Sequence, residues 1–165
     1  MANPVIDYTY FQTPPVAIPN IALTPGPYLA RKEELDRYIL IYEKKYLREM
    51  LGDTLYDLFV AGPAVERFVT MMAQLRDTDN KISPIANYVY VRYMQDTQKV
   101  TTSSGDKETQ SPGMINQVNS QKYSSIINDM ITMSEDLYDW ISDNASDYPE
   151  WECAFKFERS YLFGI

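Results

Sequence analysis

The 165-residue sequence contains no histidine and only one cysteine, Cys153. Without histidine, the Ser-His-Asp and Cys-His arrangements of nucleophilic catalysis and His-ligated zinc are excluded. A single cysteine cannot form an internal disulfide, so the composition is compatible with a reducing cytoplasm. These absences remove several of the commonest catalytic and metal-binding centres.

Long apolar runs are also missing. No stretch is long enough to cross a bilayer, and the first residues lack the basic region and apolar run of a secretory signal, so we expect no membrane association. Gly-rich phosphate-binding motifs and Ser nucleophile motifs do not occur. Adjacent carboxylates such as Glu33 and Glu34 lie on different sides of a helix and cannot form an acid/base pair. The sequence predicts a protein that is not an enzyme and has no catalytic residue, cofactor or metal ion.

Positive charge is scarce relative to negative charge, which gives a net charge of −8 and a pI of about 4.5. This balance argues against a protein whose main task is to grip nucleic-acid phosphates. An acidic surface serves solubility, and it also suits a wall past which DNA slides without binding.

Residues 1–28 combine six prolines with many apolar and aromatic side chains. Proline at this density prevents helix formation, whereas a disordered tail would not carry so much apolar surface. The pattern predicts an extended arm that lies along a surface, either that of its own chain or that of a neighbour. A flexible leader is the alternative.

Residues 29–147 predict a mainly α-helical bundle of about four to five helices. The clearest helix start is Ser83-Pro84, because serine is a favourable N-cap and proline fits the first helical position. Gly52 is a natural helix stop. The expected helices span residues 29–51, 54–60, 64–75, 83–99 and 114–144, with a long polar loop at 100–113.

Apolar residues at three- and four-residue spacing predict which helix faces are buried. For residues 29–51 these are Leu35, Ile39, Tyr42, Tyr46 and Met50; for 64–75 they are Val65, Phe68, Val69 and Met72; for 83–99 one face carries Ile85, Tyr88, Val89, Arg92 and Tyr93. On the first helix, Glu33 and Arg37 have the spacing of a stabilising ion pair.

Residues 148–165 predict a second extended arm rich in aromatic side chains. The chain has 14 tyrosines, and tyrosine is favoured at partly wet, partly buried subunit contacts. Adhesive arms at both ends are one way in which identical subunits join into a ring. The candidate contact residues are Tyr8, Tyr10, Phe11, Tyr90, Trp151, Phe155, Phe157, Tyr161 and Phe163.

Two segments carry a resemblance to a known family, and a polar Thr- and Gly-containing loop follows them. They read Tyr42-Glu43-x-Lys45-Tyr46-Leu47-x-x-x-Leu51-Gly52-x-x-Leu55-Tyr56 and Pro84-Ile85-Ala86-Asn87-Tyr88-Val89-Tyr90-x-x-Tyr93. Over roughly residues 38–130 the chain resembles neck proteins of tailed phages of Bacteroides-type bacteria, crAss-like phages included. It departs from them in the last helix, where Ile126-Ile127-Asn128 stands in place of a Trp-Asn pair.

The resemblance implies a structural virion protein, a head–tail connector (adaptor) that forms a ring, commonly a dodecamer, below the portal. Its implied partners are other copies of the chain, the portal protein and the next ring of the neck or tail. Genomic DNA would pass through the ring without specific binding, and the protein would be assembled in the bacterial host cytoplasm. A monomeric acidic binding module, such as a DNA mimic or an immunity-type inhibitor, is the alternative.

Overall fold

The computed structural model describes residues 4–21, 27–97, 99–102, 105–108, 113–152 and 157. Most of these residues are helical, as the sequence predicts. The helices are α1 (Pro27–Ala61), α2 (Glu66–Leu75), α3 (Pro84–Thr97) and α4 (Gly113–Asp143). The expected helices 29–51 and 54–60 are the two halves of α1, which bends at Gly52.

Gly52 has φ 75° and ψ 164°, a backbone conformation that only glycine adopts readily. The helical hydrogen-bond pattern is therefore interrupted at the residue where the sequence predicts a stop. The chain continues in the next helical segment without an intervening loop. Both halves of α1 bury apolar residues, which are Met50 and Leu51 before the bend and Leu55 and Phe59 after it.

Helix α3 lies between α1 and α4 and packs against both. Residues 83–91 are all buried, so α3 is enclosed and does not present only the single apolar face expected from its spacing. Its N-terminus forms as predicted: the Ser83 hydroxyl accepts the backbone N–H of Ile85 at 3.2 Å and donates to the carbonyl of Leu75 at 2.8 Å. Ser83 thus caps α3 and ties it to the end of α2.

Helix α2 is rotated from the expected orientation: Phe68 is buried as predicted, but the two valines of the expected stripe are not. Val65 and Val69 are each 50% exposed, while the core receives Phe68, Met71 and Leu75. Both stripes satisfy the helical spacing, and packing against the neighbouring elements selects the stripe with the larger side chains.

Part of the connection expected as a polar loop at 100–113 forms a two-stranded β-sheet. Strand β1 (Lys99–Thr102) runs antiparallel to β2 (Gly105–Glu108), with Val100 opposite Lys107. The helix expected over 83–99 accordingly ends at Thr97, because Lys99 already belongs to β1.

Residues 4–21, here called the N-terminal strap, are non-helical apart from one 3-10 turn, Tyr8–Phe11. The sequence predicts that this arm lies either on its own chain or on a neighbour. In the structure the strap lies on its own chain. Its buried apolar residues are Val5, Ile6, Tyr10, Phe11, Val16, Ile18 and Ile21. The strap therefore completes the hydrophobic core of the same molecule.

Candidate functional site

The predicted contact residues fall into three groups. Tyr10, Phe11 and Tyr90 are between 0% and 3% exposed and pack inside their own chain, because the strap covers the helices and α3 is enclosed. In this conformation their side chains do not face outwards as the contact prediction requires. Tyr8, Trp151 and Phe157 are partly buried. Phe155, Tyr161 and Phe163 lie outside the described residues.

Trp151 and Phe157 both reach the core from beyond the last helix. The indole N–H of Trp151 donates to the carbonyl of Met50 at 3.0 Å. The Phe157 ring stacks on Tyr46 with a centroid distance of 5.6 Å. These two contacts attach the start of the predicted C-terminal arm to α1.

A buried carboxylate fixes the start of the N-terminal strap. Glu43 on α1 is only 7% exposed, and its two carboxylate oxygens accept the backbone N–H groups of Val5 and Ile6 at 2.8–3.1 Å. The guanidinium of Arg76 donates to the carbonyl of Val5 from the other side. Burial raises the pKa of Glu43 to about 7, although the two backbone N–H groups and Arg76 act in the opposite direction.

One face of α1 is exposed, apolar and basic. Leu40 is 56% and Ile41 62% exposed, and they lie between exposed Arg37 and Lys44. Within the described part of the chain neither Arg37 nor Lys44 has an ion-pair partner; the expected pair of Glu33 with Arg37 is not formed. We call Arg37, Leu40, Ile41 and Lys44 the α1 face.

The outer side of α4 has the opposite charge. Residues 123–143 include five acidic residues and no lysine or arginine. Asp129, Asp136, Asp139 and Asp143 are exposed, and none of them forms an ion pair with another described residue. We call these four residues the α4 face.

A cavity of about 230 Å³ opens beside the α4 face, between the end of α2 and α4. Its apolar lining residues include Leu75, Ile82, Pro84, Met133 and Leu137, and its charged lining residues are Arg76, Asp77 and Asp136. Ile82 is 50% exposed. This side of the molecule therefore has a depression lined by both apolar and charged residues, next to the carboxylates of the α4 face.

A second cavity, of about 330 Å³, lies between α2 and the end of α4. Its arginine is already engaged, since Arg67 donates to both carboxylate oxygens of Glu150 and to the carbonyl of Asp147. The hydrogen bonds from Arg67 hold the pKa of Glu150 below its usual range. The Tyr148 hydroxyl donates to the Arg67 carbonyl at 2.6 Å, so these contacts anchor the segment after α4.

No group of three or more His, Cys, Asp and Glu side chains in the described ranges is placed to hold a metal ion. Among the same residues, no helix has the length and apolarity required to span a membrane. Comparisons with protein-family models, curated proteins and solved structures found no match.

The α1 face was not predicted from the sequence, although a signal for it was present. The apolar stripe of this helix runs through Leu35, Ile39 and Tyr46, and Leu40 and Ile41 fall outside it. Two large aliphatic residues that lie between cations and away from the buried stripe are the sequence signal of an exposed apolar patch. By contrast, the acidic outer side of α4 was visible in the sequence and is expected of any solvated helix.

Proposed function

We propose that this chain is a structural virion protein, a head–tail connector that forms a ring below the portal of a tailed phage. The observation that carries the proposal is that the two sequence segments resembling phage neck proteins pack against each other. Tyr88 on α3 contacts Tyr42 and Tyr46 on α1, with ring centroids 6.2 Å and 5.7 Å apart.

This packing supports the resemblance because it gives the two segments one shared structural role. Tyr38 meets Tyr93 edge to face at 5.2 Å, one more contact between the same two helices. The tyrosines of the two segments form the α1–α3 interface, and this interface fixes how the two helices are arranged in the bundle. Among the described residues the α1 face and the α4 face have no ion-pair partner, and in the proposed ring they contact other subunits.

In the proposed connector, each subunit is one segment of a ring, commonly a dodecamer, around the channel for genomic DNA. The portal protein binds one side of the ring and the next neck or tail ring binds the other. DNA passes through without specific binding, because carboxylates facing the channel repel phosphates. The protein would be located at the head–tail junction of the virion after assembly in the host cytoplasm.

Two measurements on particles test this function. Mass spectrometry of purified virions of the phage that encodes the chain should detect it in ring-like copy number relative to the portal protein. Labelling an exposed residue with gold should place the label at the neck in electron micrographs. Absence of the chain from purified virions, or label on the capsid shell or tail tip, would contradict the proposal.

The α4 face favours one other function, that of a monomeric acidic module that binds a basic protein. Such a module would form a salt-sensitive one-to-one complex with its target and would not associate with the portal protein. Light scattering of the chain mixed with purified portal separates the two functions, since a connector adds many copies to each portal ring.

A further inference from the structure

We infer that the α1 face of one copy docks on the α4 face of the next copy, so that identical subunits join head to tail. The inference rests on the proposed ring function, and it specifies the contact by which the ring forms. Neither face has an ion-pair partner in the described part of the chain, and the two faces are opposite in charge and lie on different helices. Each chain therefore offers both halves of one contact.

The spacing of the charged residues is the same on the two helices. Arg37 and Lys44 are seven residues apart on α1, and Asp129 and Asp136 are seven residues apart on α4. Seven residues are about two helical turns, or roughly 10.5 Å along the axis. When the two helices lie side by side, both cations can meet both carboxylates at the same time.

An apolar side chain lies between the charges on each helix, Leu40 and Ile41 on α1 and Met133 on α4. Leu40 and Ile41 follow Arg37 by three and four residues, and Thr132 and Met133 follow Asp129 by three and four residues. Met133 also lines the 230 Å³ cavity beside Asp136. Leu40 or Ile41 of the neighbouring copy would enter this depression, because an aliphatic anchor inside a charged rim is the usual anatomy of a protein interface.

The exposure of these residues gives the contact its driving force. Leu40 and Ile41 are more than half exposed in the single chain, and covering them removes apolar surface from water. The charges add selectivity and faster association more than affinity, since salt screens them. A second copy of the chain can both cover the apolar side chains and match the charges. Because the rest of the chain is strongly negative, contacts between other parts of two copies are disfavoured.

Two copies joined through one such contact can still bind further copies. The first pair still has one free α1 face and one free α4 face, so further copies add until the rotation per subunit closes a ring. A symmetric dimer, in which each α1 face meets the partner's α4 face, would use all four faces and stop at two.

Disulfide trapping tests the contact in the full-length chain. Cysteines at Leu40→Cys and Met133→Cys are introduced together in a Cys153→Ser background, and the purified protein is oxidised and run on a non-reducing gel. We expect a ladder of dimers, trimers and larger species that collapses to monomer on reduction. The matched control pairs Leu40→Cys with Ala64→Cys, an exposed position outside both faces, and should give no such ladder.

Charge reversal then shows whether the ladder reports this contact. Adding Arg37→Glu and Lys44→Glu to the trapping variant should lower the trapped fraction at least about tenfold, because like charges now oppose each other. Circular dichroism confirms that each variant is folded. A ladder equal to that of the control pair, a ladder unaffected by charge reversal, or a ladder that stops at dimer would overturn the head-to-tail contact. A ladder from a chain that is absent from virions would refute the connector function and leave the contact intact.

Discussion

The carboxylate of Glu43 accepts the backbone N–H of Val5 at 2.8 Å, although the two residues are 38 positions apart in the sequence. Arg76 donates to the carbonyl of the same Val5 residue, so both polar groups of its backbone are bound by side chains of the helical core. This clasp holds the first turn of the N-terminal strap against α1. An arm whose composition suits contact with neighbours is thereby retained by its own chain.

Replacing Glu43 with leucine should destabilise the protein. The backbone N–H groups of Val5 and Ile6 would lose their acceptor inside the protein, and each buried unsatisfied donor costs about 1–3 kcal/mol. Urea unfolding at about pH 5, where the carboxyl is mostly neutral, measures the loss. The exposed Glu33→Leu variant is the matched control and should change stability by less than about 0.5 kcal/mol. Equal effects of the two variants would show that the clasp contributes nothing.

The same carboxyl should make stability depend on pH. The pKa of Glu43 is about 7 in the folded protein and 4.5 without the environment that the fold provides. Since the folded pKa is raised, its favourable contribution is complete below about pH 4.5 and is lost as the pH rises to about 7, a change of about 3 kcal/mol. The difference in unfolding free energy between the wild type and Glu43→Gln isolates this effect, because the amide does not titrate. A difference that stays constant from pH 4.5 to pH 7.5 would contradict the assignment.

A buried hydrogen bond joins α1 to α4 and should show strong coupling. The hydroxyls of Tyr46 and Ser134 are 2.7 Å apart, and Ser134 also donates to the carbonyl of Met130. Tyr46 is therefore the donor to Ser134. Ser134→Ala strands the fully buried Tyr46 hydroxyl and should cost about 1–3 kcal/mol, more than Tyr46→Phe at about 1 kcal/mol. In a double-mutant cycle the combined variant should lose less than the sum; exact additivity would rule out the bond.

Gly52→Ala should destabilise the bend in α1 through the backbone alone. A Cβ atom at Gly52 would meet no atom within 4 Å, so steric collision does not contribute. The positive φ of 75° with ψ of 164° is nearly exclusive to glycine, and forcing alanine into it costs about 1–3 kcal/mol. Thermal unfolding beside the exposed control Thr54→Ala measures the difference. A Gly52→Ala variant as stable as its control would mean that the bend relaxes without cost.

Local chemistry made several features of the fold predictable. The Ser83-Pro84 start, the stop at Gly52 and the non-helical N-terminal strap each depend on the backbone preferences of residues at the site itself. The burial of Leu35, Ile39 and Tyr46 follows from the spacing of the stripe on α1. These predictions needed no knowledge of which helices are neighbours.

The remaining features depend on contacts between distant residues. Val65 and Val69 have the spacing of a buried stripe, yet Met71 and Leu75 occupy the core, because α2 is rotated by what it packs against. The enclosure of Tyr90 follows from α3 lying between two helices, which no pattern within α3 specifies. The partners of Glu43 could not be predicted either. Nothing in the charged sequence around Glu43 indicates that its carboxylate accepts hydrogen bonds from the backbone N–H groups of the strap.

A mixing experiment tests the head-to-tail contact most directly. One variant carries Arg37→Glu and Lys44→Glu on α1, and the other carries Asp129→Lys and Asp136→Lys on α4. In a solution of either variant alone, the α1 face and the α4 face carry charge of the same sign and repel each other. In the mixture, the acidic α1 face of the first variant meets the basic α4 face of the second, and the unaltered α1 face of the second variant meets the unaltered α4 face of the first. Light scattering at low salt should show monomers for either variant alone and larger assemblies in the mixture. Assemblies from each variant alone, or monomers in the mixture as well as in both separate solutions, would contradict joining of the subunits through α1 and α4.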